Sequence, residues 1–96
     1  MAIWFVGRHP GAQEWIQEKG FKIDHTVPHL SLSDIQTGDI ILGTLPIHLA
    51  AQVCEKQAEY WHLSVDLLPE QRGKELSAQE LDKSNARLER YLIQKQ

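Results

Sequence analysis

Cysteine is all but missing from this chain of 96 residues. Cys54 stands alone, so no internal disulfide can form, and the cytoplasm is the expected setting. Long hydrophobic runs are also missing. No apolar stretch approaches the roughly 18 residues that suggest a membrane-crossing helix, so no membrane partner is expected. The start, Met1-Ala2-Ile3-Trp4, has neither the basic region nor the cleavage site of a secretory signal. Positive charge is scarce: 10 Lys and Arg against 13 Asp and Glu leave a formal net charge of −3. That argues against duplex DNA or long RNA, which need a broad basic field. A small anion in a local pocket needs only a few arginines and helix ends. There is no Walker loop and no Gly-x-Gly-x-x-Gly, so binding of nucleoside triphosphates or dinucleotides has no direct support. His25 and His29 have helical i, i+4 spacing, but Pro28 interrupts them, and neither a metal site nor a cofactor is expected.

What the chain does have is two strand-to-turn-to-helix junctions in its first half. The first reads Ala2-Ile3-Trp4-Phe5-Val6, then Gly7-Arg8-His9-Pro10-Gly11. The second reads Asp39-Ile40-Ile41-Leu42, then Gly43-Thr44-Leu45-Pro46-Ile47-His48. Each joins an apolar strand to a helix start through glycine, proline and histidine. A helix N-terminus offers N–H groups without intrahelical partners and a partial positive charge, which suits a phosphate.

The length fits one domain spanning 1–96. Residues 2–6 read as a strand buried on both faces. A helix follows from Pro10 to about Lys19, with Ala12, Trp15, Ile16 and Lys19 on one face and Gly20 as its stop. Phe21 to Val27 reads as a second strand, ended by Pro28. Ser33-Asp34 and Gly38-Asp39 read as turns, and Ile40–Leu42 as a short buried strand. Thr44 is the expected N-cap of a second helix, with Pro46 in its first turn and an apolar stripe of Ile47, Ala50, Ala51 and Cys54. Glu59 to Val65 has high β-propensity. Ser77-Ala78-Gln79-Glu80 is a capping box, opening a helix to about Ile93 with Leu81, Leu88, Tyr91 and Leu92 facing inward. Trp4 and Trp61 are expected in the core. Strands and helices thus alternate, and the fold class is α/β, with a mostly parallel sheet of about four strands and three helices.

In a parallel sheet the C-terminal ends of the strands lie on one edge, where ligands gather. Three loops are expected to converge there: Gly7 to Gly11, Gly43 to His48, and Ser64 to Lys74. They supply Arg8, His9, Thr44, His48, Ser64, Asp66, Arg72 and Lys74. Arg8 can form two hydrogen bonds to one anion, and His9 or His48 can move a proton. Gly7 and Gly11 permit close approach of backbone to a ligand. Each of these residues also has a plainer reading: Arg8 and His9 as a solvated loop, Thr44 as a helix cap, His48 as a surface histidine. Asp66 reads equally as a structural ion-pair partner of Arg72 or Arg8. Ser64 sits in no nucleophile elbow, and Arg72 and Lys74 suit either a clamp or a solvated turn.

Taken together, four segments resemble a known family: the two junctions extended to Ala12 and Ala51, Tyr60-Trp61-His62-Leu63-Ser64-Val65-Asp66, and Arg72-Gly73-Lys74-Glu75-Leu76-Ser77. They resemble the short CRISPR-associated family called Csx sixteen, found beside type III CRISPR systems, and the resemblance spans nearly the whole chain. It implies a small Rossmann-like fold, distantly related to the CRISPR-associated Rossmann-fold sensors. It also implies ring nuclease activity on cyclic oligoadenylate, chiefly cyclic tetra-adenylate, and a homodimer that binds the symmetric ring across a two-fold axis. Arg8, His9, Thr44, His48, Ser64, Asp66 and Arg72 lie inside the matching segments. On this reading Arg8 and Arg72 handle charge, His9 or His48 transfers protons, and Asp66 orients a cation or hydroxyl. Gly7, Gly11, Gly43, Thr44, Leu45, Ser64 and Lys74 contact the ligand. A non-catalytic sponge for the same ligand is the alternative, and a small protein-docking subunit is a third reading. For the dimer, the final helix with Leu92 and Ile93 and the sheet edge are both candidate faces.

Overall fold

In the computed structural model, which describes residues 1–66 and 76–96, the fold is governed by short apolar strands that must be covered on both faces. The elements are β1 (Ile3–Val6), α1 (Pro10–Glu18), β2 (His25–Val27), a 3-10 turn (Leu32–Asp34), β3 (Ile40–Gly43), α2 (Ile47–Glu55), β4 (Glu59–Ser64), α3 (Ala78–Lys83) and β5 (Arg87–Tyr91). The sheet has five strands in the order β2-β1-β3-β4-β5. β1 pairs in parallel with β2 and β3, and β3 in parallel with β4, while β5 runs antiparallel to β4. This is a small Rossmann-like α/β fold, as the alternation of strands and helices implies.

Alternation along each strand divides the core in two. Trp4, Val6, Ile41 and Tyr60 face α2 and pack with Ile35, Leu45, Ala50 and Val53. Phe5, Leu42 and Leu63 face the opposite way, against Ala12, Trp15 and Ile16 of α1 and Ala78 and Leu81 of α3. Trp15 ties the two helices on that face together, its indole N–H donating to Asp82 Oδ1 at 2.6 Å. That bond, followed by the Lys19 ammonium, holds the Asp82 carboxyl below its ordinary value. Trp4 is buried as expected, whereas Trp61 is only half-buried.

All three helices end the same way. In α1, Phe21 N–H reaches the Ile16 carbonyl and Gly20 N–H the Gln17 carbonyl. In α2, Ala58 and Gln57 bond Val53 and Cys54, and in α3, Ala86 and Asn85 bond Leu81 and Asp82. Each is a Schellman motif, with a left-handed residue just past the cap. That residue is Gly20 (φ 97°), Gln57 (φ 62°) and Asn85 (φ 57°).

The third of these stops corrects the sequence reading. The capping box is present: Ser77 Oγ accepts from Glu80 N–H at 3.1 Å, and Glu80 Oε1 from Ser77 N–H at 3.1 Å. The helix it opens ends at Lys83, however, and does not reach Ile93. Asn85 turns the chain, and Arg87–Tyr91 forms a fifth strand in register with β4, from Ser64↔Arg87 to Tyr60↔Tyr91. Leu81 is buried and Leu88 packs beside it, but Tyr91 and Leu92 are exposed. A C-terminal helical dimer face is therefore replaced by a strand at the sheet edge. Two smaller corrections follow. Residues 21–24 precede β2 instead of forming part of it. Ile47 points outward, 74% exposed, and Val53 takes its place in the buried stripe of α2.

Candidate functional site

The strand order places a switch point between β1 and β3. The chain leaves β1 toward β2 on one side, then returns to add β3 and β4 on the other. Beyond the carboxyl ends of such a strand pair the diverging connections leave a crevice. Here it is a concavity of about 210 Å³, lined by Gly7, His9, Gly43 and Thr44 with Phe5, Val6, Ala12, Leu63, Val65, Leu76 and Leu81. Four of the residues expected at a site thus meet in one place, two from each junction.

Gly43 is what allows β1 and β3 to come so close there. Its φ is 148°, and a Cβ on it would stand 2.5 Å from the Val6 carbonyl oxygen. Any side chain would push the strands apart at the rim of the crevice. Gly11 has a packing role. A Cβ there would strike the Leu76 carbonyl oxygen, so its small size serves the packing of α1 against the segment leading to α3.

The helices that start at this edge carry no side-chain cap. His9 is the N-cap of α1 and Pro46, not Thr44, that of α2, and neither makes a side-chain cap bond. Thr44 is exposed, two residues before the cap, and lines the crevice. α3, by contrast, has the N–H groups of Ser77 and Glu80 engaged by its capping box. Both ends leave first-turn N–H groups without a side-chain acceptor; that of α1, at His9 and Ala12, borders this crevice, and that of α2, at Ile47, borders a concavity on the opposite face of the sheet.

A second concavity, of about 330 Å³, opens on the α2 face, lined by Leu45, Ile47, Ala50, Tyr60, His62, Ser64, Tyr91 and Ile93. Leu45 and Ser64, both expected at the site, lie here. The buried Tyr60 hydroxyl organises this wall. It accepts from Leu45 N–H at 2.9 Å, lies 3.3 Å from the Gly43 carbonyl oxygen, and is hydrogen-bonded to His62 Nδ1 at 2.6 Å. Burial pushes its phenol above the ordinary value, more than the Leu45 bond lowers it, so it stays protonated at neutral pH. Sequence reasoning placed neither Tyr60 nor His62 at the site. Their signal was an i, i+2 spacing on a strand, which puts both side chains on one face.

The charged candidates separate. Arg8 turns toward the β2 edge, where its Nη2 meets His29 Nε2 at 2.7 Å. Asp66 turns toward β5, accepting from Asn85 Nδ2 at 3.0 Å and pairing with Arg87 Nη1 at 3.4 Å. The Asn85 bond, then the Arg87 charge, lower its carboxyl. Among the described residues its ion-pair partner is Arg87 and not Arg8. His48 is exposed on the outer side of α2, beside Gln52, Glu55 and Lys95. Among the described residues, Arg8 meets His29, Asp66 meets Asn85 and Arg87, and only His48 lines a cavity described here. Arg72 and Lys74 lie outside the described residues. His25 stacks on Trp4, ring centroids 4.3 Å apart, so the His25/His29 spacing serves packing and the Arg8 contact. Among the described residues, no group of three or more His, Cys, Asp or Glu is placed to hold a metal ion, and no helix is long and apolar enough to cross a membrane.

No curated protein and no solved structure matches this chain. A family model does, over residues 4–94, and its description reads "Putative CRISPR-associated protein (Cas_VVA1548)". That span takes in the second junction, the first from Trp4 onward, the crevice, β4 and β5, and the chain belongs to this CRISPR-associated family.

Proposed function

We propose that the protein is a ring nuclease of type III CRISPR defence, which binds cyclic oligoadenylate, cyclic tetra-adenylate above all, and opens it to end an antiviral signal in the cytoplasm. The observation that carries this reading is the switch-point crevice. His9, Thr44 and the uncapped start of α1 line it, in a chain whose family is CRISPR-associated. Such an edge suits phosphate, and the chain's net charge of −3 suits a small ligand better than a long nucleic acid.

The chemistry asks little of the protein. A ribose 2′-hydroxyl attacks the neighbouring phosphorus in line, leaving a 2′,3′-cyclic phosphate on one nucleoside and a 5′-hydroxyl on the next. The nucleophile and leaving group both belong to the substrate, so the step as written needs neither a metal nor a protein nucleophile. The site must bend the ring, stabilise the charge on phosphorus and assist proton transfer. Helix ends and Arg8 supply positive potential, Thr44 and Ser64 supply hydroxyls, and His9 or His48 supplies an imidazole. A homodimer would present two such edges to a ring that is itself symmetric, and would let candidates that diverge within one copy meet across the axis.

The second reading is a sponge that holds the ring without cutting it. It is favoured by one observation: Arg8, His48 and Asp66 face different surroundings within a single chain. One experiment separates the two. Purified protein is mixed, in chelator, with cyclic tri-, tetra- and hexa-adenylate, and the products are resolved. Ring opening at substoichiometric protein supports the nuclease. Tight binding with the ring intact supports the sponge, and neither binding nor opening rejects both.

A further inference from the structure

The Tyr60 hydroxyl has one proton to give and two lone pairs to fill. Three partners surround it: Leu45 N–H, the Gly43 carbonyl and His62 Nδ1. Leu45 N–H can only donate, and the Gly43 carbonyl can only accept. All three bonds form together in one way only. Tyr60 O–H goes to Gly43, and His62 carries its proton on Nδ1 and donates it to Tyr60 Oη. Neutral His62 then holds its lone pair on Nε2, which bonds to no other described residue. The ring is held edge-on between Tyr60, centroids 5.8 Å apart, and Tyr91, 5.9 Å apart. It forms part of the wall of the second concavity beside Ser64. Its register partner on β3 is Gly43, at the rim of the switch-point crevice, and its partner on β5 is Glu89, which is engaged by Arg87 at 3.1 Å.

Resting on the ring-nuclease reading, with the ring reaching over the strand ends so that its scissile phosphodiester lies in the second concavity beside Ser64 and the uncapped start of α2, we infer that His62 Nε2 is the base that takes the proton from the attacking 2′-hydroxyl, with Tyr60 as the positioning residue that leaves Nε2 free. The 2′ O–H bond breaks, its proton passes to Nε2, and the 2′-oxygen bonds to phosphorus. The bond from phosphorus to the 5′-oxygen breaks, and that oxygen keeps the electron pair. It then takes up a proton returned by the imidazolium through water, so the reaction ends with no net proton change. The arrangement pairs a base with a third group that sets its tautomer, and Tyr60 does here what a carboxylate does in hydrolytic triads.

The test uses the full chain with cyclic tetra-adenylate. Single-turnover ring opening and calorimetric binding are measured for wild type, His62→Gln and Tyr60→Phe, alongside thermal melts and imidazole ¹⁵N spectra. His62→Gln should bind as wild type does yet open the ring at least about 100-fold more slowly, the usual scale of a lost general base. Wild-type spectra should show His62 protonated on Nδ1, and Tyr60→Phe should shift it toward Nε2 and slow the reaction with binding retained. A wild-type rate in folded His62→Gln overturns the assignment of His62 and leaves the ring nuclease standing. A wild-type protein that leaves the ring intact overturns both. Should His62→Gln not fold, the wild-type spectrum and Tyr60→Phe decide: an Nε2-protonated ring, or an unchanged rate in Tyr60→Phe, overturns the inference.

Discussion

The indole N–H of Trp4 donates to Asp39 Oδ2 at 3.1 Å, joining the starts of β1 and β3 across 35 positions of sequence. Asp39 is only 5% exposed. It also accepts from the backbone N–H groups of Ala2 and Gln36, each at 3.0 Å. Burial alone would push its carboxyl up, but these donors outweigh burial and hold it below the ordinary value. A charged, fully bonded carboxylate thus ties together the two strands whose far ends frame the crevice.

Asp39→Asn would turn one accepting oxygen into an amide that faces N–H donors. The expected loss is about 2–3 kcal/mol, the scale of a bond to a charged group left unmade, read from urea midpoints. The acid behaviour follows from the lowered value. Stability from Asp39 is complete above the unfolded value near ~3.9 and is lost as pH falls through the lower folded value. The wild-type melting temperature should therefore drop more steeply below about pH 4 than that of Asp39→Asn. Parallel acid limbs would remove Asp39 from the account.

Gly43→Ala tests the close approach of β3 to β1. The left-handed φ and the contact with the Val6 carbonyl are both unfavourable to a methyl group. Destabilisation of about 2–4 kcal/mol is expected from strain and overpacking together. Gly11→Ala should also destabilise, through the Leu76 carbonyl. If Gly11→Ala instead melts as wild type does and loses only ligand affinity, its role is contact with ligand and not packing.

Arg8→Ala separates stability from function. Arg8 is exposed, and its one side-chain bond runs to the exposed His29. The melting curve should change by no more than about 0.5 kcal/mol, as for most surface substitutions. Ring opening, or binding if the protein is a sponge, should fall at least tenfold, the roughly 1.4 kcal/mol of a lost charged contact to phosphate. Processing and binding at wild-type levels would remove Arg8 from the site.

Gln57→Gly should stabilise the protein. Gln57 has φ 62° at the stop of α2, a position where glycine carries no Cβ penalty. The gain should be about 0.5–1 kcal/mol, since relieved strain exceeds the added freedom of the unfolded chain. Chemical denaturation checks it, and a loss of stability would show that the Gln57 side chain contributes something that its backbone conformation conceals.

Much of the crevice could be read before folding. Gly7, His9, Gly43 and Thr44 were identifiable because a glycine between an apolar strand and a helix start marks a strand end, and parallel strands bring their ends to one edge. The dispersal of Arg8 and Asp66 was not readable. Arg8 finds His29 across 21 positions, and Asp66 finds Asn85 across 19. Such partners depend on which strands become neighbours.

Local patterns in the sequence settle the alternation of strands and helices, the capping box at Ser77, the stop at Gly20 and the scarcity of positive charge. Each rests on residues within about one turn or one strand of each other, and so on short-range sterics and hydrogen bonding. The segment Arg87–Tyr91 shows where that reach ends. Leu81, Leu88 and Leu92 fit a helical spacing, and the same stretch also fits an exposed strand at the edge of a sheet. Asn85 stops the helix in the folded chain, and the open edge of β4, with backbone groups to pair, makes the strand the better solution. The same pairing set Tyr91 against the His62 ring, and with Tyr60 it turned a histidine inside a strand into one with a defined free nitrogen.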